Sequence, residues 1–463
     1  MRVSHKLTAV FDDPNLIAVA GLAPVMALAE RAGLHELVAE HVTVPGSAGA
    51  NAAVKIPALV AGMVAGADSI SDLDLLRHGG MGRLFDGLRA PTTLGTFLRA
   101  VSFGHVRQFD AVASRLLIAL AKATPVLAGA DQVSYVDVDD TIRETHGYAK
   151  QGAGYGYSGV KGLNALVATV STPVAAPVIA ATRLRKGATN SAKGAFRLIG
   201  DALATARSAG AGTAPDAIIT VRADSAFYNH KVVAAARRGG ARFSITARMD
   251  PAVRRAIAAI DEDAWTAIKY PHSIWEEDEQ RWISDAEVAE IEFTAFTSRR
   301  KAEHVPGRLI VRRVKRLNPA SVPAGQTALF AQYRYHAVFT DSELSLLAAE
   351  AAHRDHAIVE QVIAELKAGP LAHLPSGKFT ANAAWLVLAA MAFNLTRAAG
   401  SLAGAFHAKA RTATIRAQLI NVPARIASSA RRLRLHLPRD WPWQTGYDQL
   451  FTATLAPPGA AAA

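Results

Sequence analysis

The sequence predicts an α/β fold, in which a mixed layer of strands and helices is interrupted by a β-rich insertion and flanked by helical regions. Three observations predict it. Segments that are rich in β-branched residues and alternate in polarity begin at Val133. Segments rich in Ala and Leu, with helical spacing, precede them and follow residue 340. Between the two, over residues 250–332, acidic and basic residues are separated into blocks.

Composition limits the class of protein. Half of the 463 residues are hydrophobic, which is enough for a sizeable core and argues against wholesale disorder. The chain has no cysteine, so disulfides, thiolate zinc sites and cysteine nucleophiles are excluded. Its 51 Lys and Arg against 39 Asp and Glu give a net charge of +12, which points to a polyanionic partner, most often nucleic acid.

Residues 1–130 have the spacing of helices, for example over residues 17–31 and 56–67. Pro91 is predicted as a first helical residue, with Thr92 or Thr93 as the cap. Several arginines surround this segment, and Arg99 is the candidate DNA contact among them. Two interpretations remain open: a small helical DNA-binding domain, and an ordinary helical bundle with solvated arginines.

The mixed layer is predicted over residues 131–249. In chain order it contains strands over 133–139, 163–171 and 177–182, a helix over 192–209, a strand over 217–223, a helix over 231–238 and a strand over 241–247.

The insertion is predicted over residues 250–332. Residues 261–292 hold eleven acids and two bases, whereas residues 299–316 hold eight bases, Arg312 and Arg313 among them, and one acid. Trp275 and Trp282 are candidates for stacking on a DNA base, although a small hydrophobic core is the preferred interpretation of the tryptophans here.

The layer resumes over residues 333–400, with a strand over 333–340, a long helix over 342–368 and another helix over 382–399. Residues 379–395 are 17 uncharged residues, which we interpret as a buried core helix rather than a membrane span. Residues 401–463 are predicted to form a basic helical region and a tail. Residues 397–439 hold nine Lys or Arg and no acid, so Arg431, Arg432 and Arg434 are candidate phosphate contacts.

Carboxylates recur at positions where a sheet can bring them together. Asp137 and Asp139 alternate along one strand and so share a face, while Asp140 points away. Asp224 follows the end of another strand, and Glu360 lies within the long helix. Burying ionised carboxylates is costly unless they are paired or bind a metal, so a divalent-metal site is the hypothesis that this pattern favours.

These segments resemble the DDE transposases of bacterial insertion sequences, in the group with a β-rich insertion before the catalytic glutamate. That group has a Y-x2-R-x3-E-x6-K signature. This chain has His353-x2-His356-x3-Glu360-x6-Lys367, which matches the spacing throughout and departs at the Tyr and Arg positions. The segment VDVDDT around Asp139 is similar to the first motif of the family, and RADSAF around Asp224 is similar to the second.

The resemblance implies an RNase H-like catalytic core in which Asp139, Asp224 and Glu360 hold Mg²⁺, with Mn²⁺ as a substitute, and Asp137 is the alternative to Asp139. Together with the basic segments it gives the candidate DNA contacts, which are Lys367, His356, His353, Arg222, Arg99, Arg312, Arg313, Arg431, Arg432 and Arg434.

The activity that the resemblance implies is cleavage at the terminal inverted repeats of an insertion sequence and strand transfer to target DNA, with hairpin ends as an intermediate. A homodimer that pairs two ends, in the nucleoid of a bacterial cytoplasm and away from membranes, is the expected assembly. Two alternatives stay open: an RNase H-like nuclease without strand transfer, and a catalytically inactive DNA-binding protein derived from a transposase.

Overall fold

The computed structural model describes residues 1, 3, 6–146, 149–156, 159–268, 275–276, 281–282, 286–315, 333–429 and 432–455, with side chains at all of these positions except 275–276, 281–282 and 315. The chain forms two compact units, which we describe separately. Unit 1 comprises Met1–Val126, Thr145–Gln151 and Glu365–Ala463, and unit 2 comprises Leu127–Glu144 and Gly152–Ala364.

The strands, in chain order, are β1 Leu16–Ile17, β2 Val133–Glu144, β3 Gly154–Tyr155, β4 Lys161–Ser171, β5 Val178–Lys186, β6 Ile218–Ala223, β7 Arg242–Thr246, β8 Thr266–Ile268, β9 Trp275–Glu276, β10 Arg281–Trp282, β11 Ala286–Ala295, β12 Val305–Lys315, β13 Tyr333–Thr340, β14 Ala424–Ser429 and β15 Arg432–His436.

The α-helices are α1 Leu22–Arg31, α2 Leu34–His41, α3 Ala52–Ala65, α4 Met81–Leu84, α5 Pro91–Ala100, α6 Phe103–Ala123, α7 Ala195–Ser208, α8 His230–Arg238, α9 Pro251–Ala258, α10 Leu346–Arg354, α11 Ile358–Lys367, α12 Phe379–Leu402, α13 Ala405–Lys409, α14 Thr412–Ile415 and α15 Gln444–Leu455.

A large mixed sheet forms the centre of unit 2. Five of its strands lie in the order β5, β4, β2, β6, β7. The pairs β2–β4 and β4–β5 are antiparallel, whereas β2–β6 and β6–β7 are parallel. Helix α7 packs on β2, β4 and β5. This arrangement of elements is compatible with the RNase H-like core that the resemblance implies.

The alternation of β2 determines which of its residues enter the hydrophobic core. Ser134, Val136 and Val138 are buried on one face, and Asp137 and Asp139 fall on the opposite face because successive side chains of a strand point to opposite sides. The alternating sequence therefore fixes a row of carboxylates on one side of the sheet.

The described strands of the predicted insertion extend this sheet. Beyond β7 the order continues with β13, β12, β11 and β8, each antiparallel to its neighbour. Among the described strands of residues 250–332, the short pair β9–β10 alone forms its own sheet. Cross-strand hydrogen bonds join the other strands to the core sheet, and an insertion domain with the bounds 250–332 stays a prediction.

The helix predicted over residues 342–368 is instead two helices. A 3₁₀ turn, Asp355–Ala357, separates α10 from α11. At this turn the Nδ1 of His356 donates to the carbonyl of His353 at 2.6 Å. In one continuous helix, the side chains of His353, His356, Glu360 and Lys367 would lie along one face. The 3₁₀ turn interrupts that face.

Unit 1 is built around α12, whose residues 381–400 are all buried. Within the described residues α12 alone is long and apolar enough to cross a membrane, and 89% of its apolar window is buried inside the protein, as a core helix requires. Trp385 fixes it by donating from its indole N–H to the carbonyl of Pro370 at 2.6 Å. Pro91 begins α5 as predicted, but its N-cap is Ala90 and no threonine side chain caps it.

The basic C-terminal region is only partly helical. Strands β14 and β15 form an antiparallel hairpin, and β14 also pairs with β1 near the N-terminus. The alternation Arg-Leu-Arg-Leu-His over 432–436 has the period of a strand, so the helical prediction was wrong there.

Candidate active site

Asp139 lies within β2, just past the last residue of β2 that pairs with β6, and Asp224 directly follows the end of β6. Val138 of β2 is level with Ala223 of β6, so the next residue of each strand is an aspartate. Because parallel neighbours keep their register, this pairing brings the two carboxyl groups to one edge of the sheet. The sequence reasoning that placed both aspartates in one site agrees with this register.

The environment of Asp139 favours its protonated form. The pKa of its carboxyl is raised to about 7, chiefly by burial and in addition by the negative charges of Asp224, Asp140 and Glu360, against a hydrogen bond from the Asp140 backbone N–H that lowers it. That N–H donates to Oδ1 of Asp139 at 2.7 Å. The charges of both other carboxylates of the predicted triad thus contribute to the raised pKa of Asp139.

Asp224 is held by the turn that follows it. Its Oδ1 accepts from the backbone N–H of Ala226 at 3.0 Å, at the start of the 3₁₀ turn Ser225–Phe227. Burial raises the pKa of Asp224, Asp140 raises it further, and His356 opposes the shift.

Arg248 supports this turn and was missed by the sequence reasoning. Its Nε donates to the carbonyl of Ser225 at 3.1 Å, and Nη2 lies 3.5 Å from the carbonyl of Ala226. The side chain is otherwise exposed. It therefore positions the backbone that orients Asp224. A lone arginine just after β7 gave no sequence signal for that role.

Glu360 stands in the first turn of α11 and is exposed. Among the described residues no three Asp, Glu, His or Cys side chains are grouped so as to hold a metal ion. The chemistry of the three carboxylates nevertheless fits Mg²⁺ or Mn²⁺, which prefer hard oxygen ligands, and a cation would relieve the repulsion that raises the pKa of Asp139.

Asp137, the alternative metal ligand, forms a buried ion pair with Arg222. The Nε of Arg222 lies 2.6 Å from Oδ1 of Asp137, and its Nη2 lies 2.8 Å from Oδ2. The guanidinium also donates to the carbonyl of Ala352 and lies 3.9 Å from the ring centroid of Tyr135. Burial raises the pKa of Asp137, and Arg222 opposes that shift. The carboxylate of Asp137 is thus already neutralised by Arg222, and which of Asp137 and Asp139 binds a metal stays a prediction.

The same pair corrects the assignment of Arg222 as a DNA contact. Arg222 is 2% exposed, and its guanidinium binds Asp137 and Ala352 instead of facing solvent. The charge of this arginine is neutralised by a carboxylate on the neighbouring strand. A single sequence does not show that pairing, so the arginine could not be distinguished from a surface cation.

Asp140 points to the opposite face, as predicted. It accepts from the Asn164 side-chain amide at 2.7 Å and from Ser191 Oγ at 3.1 Å, and it pairs with Arg185. Arg185 is itself buried and donates to the carbonyls of Ser191 and Lys193. Asp140 therefore anchors the chain between β5 and α7.

His353 is a buried neutral residue. It is 5% exposed, its Nδ1 lies 2.9 Å from Ser244 Oγ, and its Nε2 lies 2.9 Å from Thr246 Oγ1. Its pKa is lowered to about 3, chiefly by burial and in addition by the neighbouring His356. Its predicted role as a DNA contact is incompatible with this burial.

We expect the imidazole of His353 to stay neutral, in one tautomer, from pH 5 to pH 8, since its pKa of about 3 lies below that range. ¹⁵N–¹H correlation spectra of the side-chain nitrogens, recorded across this pH range, test this expectation. A titration of His353 near pH 6.5 would contradict the buried geometry.

His356 is half-buried and acts electrostatically on Asp137 and Asp224. Since a carbonyl can only accept, the bond to His353 places a proton on Nδ1 of His356 and leaves Nε2 as its second polar atom.

The remaining predicted DNA contacts fall into two groups. Arg99, Arg432 and Arg434 are exposed, and Lys367 is half-buried at the end of α11. Arg312 pairs with Glu350 at 3.5 Å. Arg313 is 5% exposed and forms ion pairs with Glu262 and Glu287. Its guanidinium also lies against the rings of Trp265 and Tyr333. The assignment of Arg313 as a DNA contact is therefore also corrected. Arg431 and the side chains of Trp275 and Trp282 lie outside the described residues.

Comparison with known protein families gives one match. The model of the family described as "Transposase DDE domain group 1" matches residues 2–456, nearly the whole chain. No curated protein matches the chain.

Proposed function

Because this chain belongs to the transposase DDE domain family, group 1, we propose that it cuts DNA at the terminal inverted repeats of an insertion sequence and joins the ends to target DNA. The observation that carries the proposal is the placement of Asp139 and Asp224 just past the last paired residues of two adjacent parallel strands, where burial, together with neighbouring carboxylates, raises the pKa of Asp139 to about 7. Carboxylates with perturbed pKa values are candidates for metal ligands in phosphoryl transfer.

Asp139, Asp224 and Glu360 would hold the divalent ion. When bound, Mg²⁺ supplies an activated water or 3′-hydroxyl and neutralises charge on the leaving oxygen. The ion pair between Arg222 and Asp137 fixes β2 against β6, two residues before each aspartate of the site. Arg248 orients the turn that bonds Asp224. Together these contacts hold two carboxylates in place before DNA arrives.

Positive groups near the site and on the surface would bind phosphates. His356 interacts electrostatically with Asp224, and an N–H of its imidazole would donate to a phosphate oxygen. Lys367 acts as a point charge, and Arg99, Arg432 and Arg434 are exposed for backbone contacts. A hairpin at the cut ends and a homodimer that pairs two ends are parts of this proposal that come from the resemblance.

The test is cleavage of linear DNA that carries the inverted repeats flanking the gene, with Mg²⁺, by the parent protein and by Asp224→Ala. We expect the parent to cut at the tip of the repeat and to form joined products. Asp224→Ala should lower the rate at least about a thousandfold, equivalent to about 4 kcal/mol of activation free energy, and should still bind the DNA.

Other outcomes separate the alternatives. Cleavage without joined products would identify a nuclease. Binding by both proteins with cutting by neither would identify an inactive DNA-binding protein. Asp216→Asn, at an exposed aspartate before β6, is the control and should retain parental activity.

A further inference from the structure

A groove of about 690 Å³ lies in unit 1 between the β14–β15 hairpin and α15. It is separate from the carboxylate site, which belongs to unit 2. The side chains that give it its chemistry are Arg432, Arg434 and His436 on β15 and Tyr447, Asp448 and Phe451 on α15.

The strand wall of the groove is cationic. Arg432 is opposite Ser429 and Arg434 is opposite Ala427, so both arginines lie on one face across from small side chains. Two residues along a strand are about 6.8 Å apart, a spacing suited to successive phosphates of one DNA strand. Both arginines are exposed, and neither forms an ion pair with another described residue.

The helix wall contains an unpaired polar group. Tyr447 is 3% exposed, and within the part of the chain that the structure describes its hydroxyl has no hydrogen-bond partner. Its ring stacks on that of Phe451, with 6.1 Å between centroids and 21° between planes. A buried hydroxyl without a partner is unfavourable, and Tyr447 is among the residues that line the groove, so a ligand atom that reached the hydroxyl would complete it.

We propose that this groove binds a phosphodiester segment of DNA, with Arg432 and Arg434 on successive phosphates and the Tyr447 hydroxyl on an oxygen of the same backbone. The two arginines outnumber the one carboxylate, Asp448, which accepts from the Gln444 amide at 3.2 Å. Each contact is to the backbone, so the site is independent of base sequence. The proposal rests on the proposed function, since it takes DNA as the substrate, and it adds a second place where DNA is held.

The first test is the salt dependence of binding to a duplex of random sequence, measured by fluorescence anisotropy. Since each phosphate contact contributes about 0.9 to the slope of log K against log salt, the variant Arg432→Ala/Arg434→Ala should lower that slope by about 2 and weaken binding at low salt at least about tenfold. The control is Arg254→Ala/Arg255→Ala, which removes two exposed arginines from α9. An unchanged slope in the hairpin variant, or an equal loss in the control, would overturn the proposal.

The second test uses Tyr447→Phe, which removes only the hydroxyl. We expect the Tm of the free protein to be unchanged or higher, because the hydroxyl has no protein partner, and DNA affinity to fall about three- to tenfold. A lower Tm with unchanged affinity would show that the hydroxyl stabilises the fold instead, and would overturn its role in binding. Failure of the groove is distinguishable from failure of the proposed function: in the first case the parent still binds and cuts DNA, whereas in the second it does not cut the DNA, whether or not it binds it.

Discussion

Replacing Asp139 by asparagine should abolish DNA cleavage and at the same time stabilise the protein without metal. Asparagine keeps the shape of the side chain but removes the charge that a divalent ion needs, so cleavage should fall at least about a thousandfold. In EDTA the same change removes a carboxylate whose charged form is disfavoured by burial and by Asp224 and Glu360. A single substitution then changes activity and stability in opposite directions.

The stability gain should depend on pH. The carboxyl of Asp139 has a pKa of about 7 in the folded protein against 3.8 as the ordinary value. Because the folded state holds the proton more tightly, the parent loses stability as the pH rises from about 4 through about 7. The advantage of Asp139→Asn is therefore absent near pH 4 and greatest above pH 7, where the difference in pKa sets an upper bound of about 4 kcal/mol.

Urea unfolding in EDTA at pH 4.5 and pH 8 measures this gain. The matched control is Asp216→Asn, which makes the same chemical change at an exposed position of unit 2 and should alter stability by less than about 0.5 kcal/mol. Equal stability of Asp139→Asn and the parent at pH 8 would contradict the assignment of Asp139 to a crowded acidic cluster.

Replacing Arg222 by methionine should produce the largest loss of stability. Asp137 is fully buried and would lose the bidentate partner that neutralises it. Breaking a buried pair by removing one member costs about 3–5 kcal/mol, because an uncompensated charge stays in the core. Denaturant unfolding at pH 7 tests this expectation.

Two further variants make this expectation specific. Arg183→Met breaks the ion pair with Asp201, which is 3.0 Å long and lies nearer the surface of the same unit, and should cost less than about 1 kcal/mol. The double variant Asp137→Leu/Arg222→Met removes both charges and should recover part of the loss. Similar losses for Arg222→Met and Arg183→Met would mean that Arg222 is not buried as described.

The sequence was a good guide wherever one local period decided the structure. Alternation in β2 predicted the strand and the shared face of Asp137 and Asp139, and the buried runs predicted β6 and α12. Asp139 in a strand and Asp224 after the end of another were expected to converge on one metal, and the register of β2 and β6 is compatible with that prediction. A period of two or 3.6 residues is a local property, so one segment is enough to detect it.

Charges were assigned less well, because a partner far along the chain decides their role. Arg222 and Arg313 looked like surface cations, but Asp137 pairs with the first, and Glu262 and Glu287 pair with the second. His353 was assigned as a DNA contact, but it is buried against Ser244 and Thr246 of β7. In the C-terminal region the basic composition was noticed, while the alternation of Arg432 and Arg434 with leucines, which predicts a strand, was not used.

The central claim is that Asp224 is a ligand of the catalytic metal, and the substitution Asp224→Cys tests it most directly. The chain has no cysteine, so the new thiolate is the only one in the protein. Mg²⁺ requires hard oxygen ligands and binds thiolate poorly, whereas Mn²⁺ accepts sulfur more readily. Cleavage of the inverted-repeat DNA is therefore measured with each ion for the parent, Asp224→Cys and Asp224→Ala. We expect Asp224→Cys to be inactive with Mg²⁺ and to recover at least about tenfold with Mn²⁺, while Asp224→Ala recovers with neither ion. Parental cleavage rates with Mg²⁺ in either variant would contradict the account.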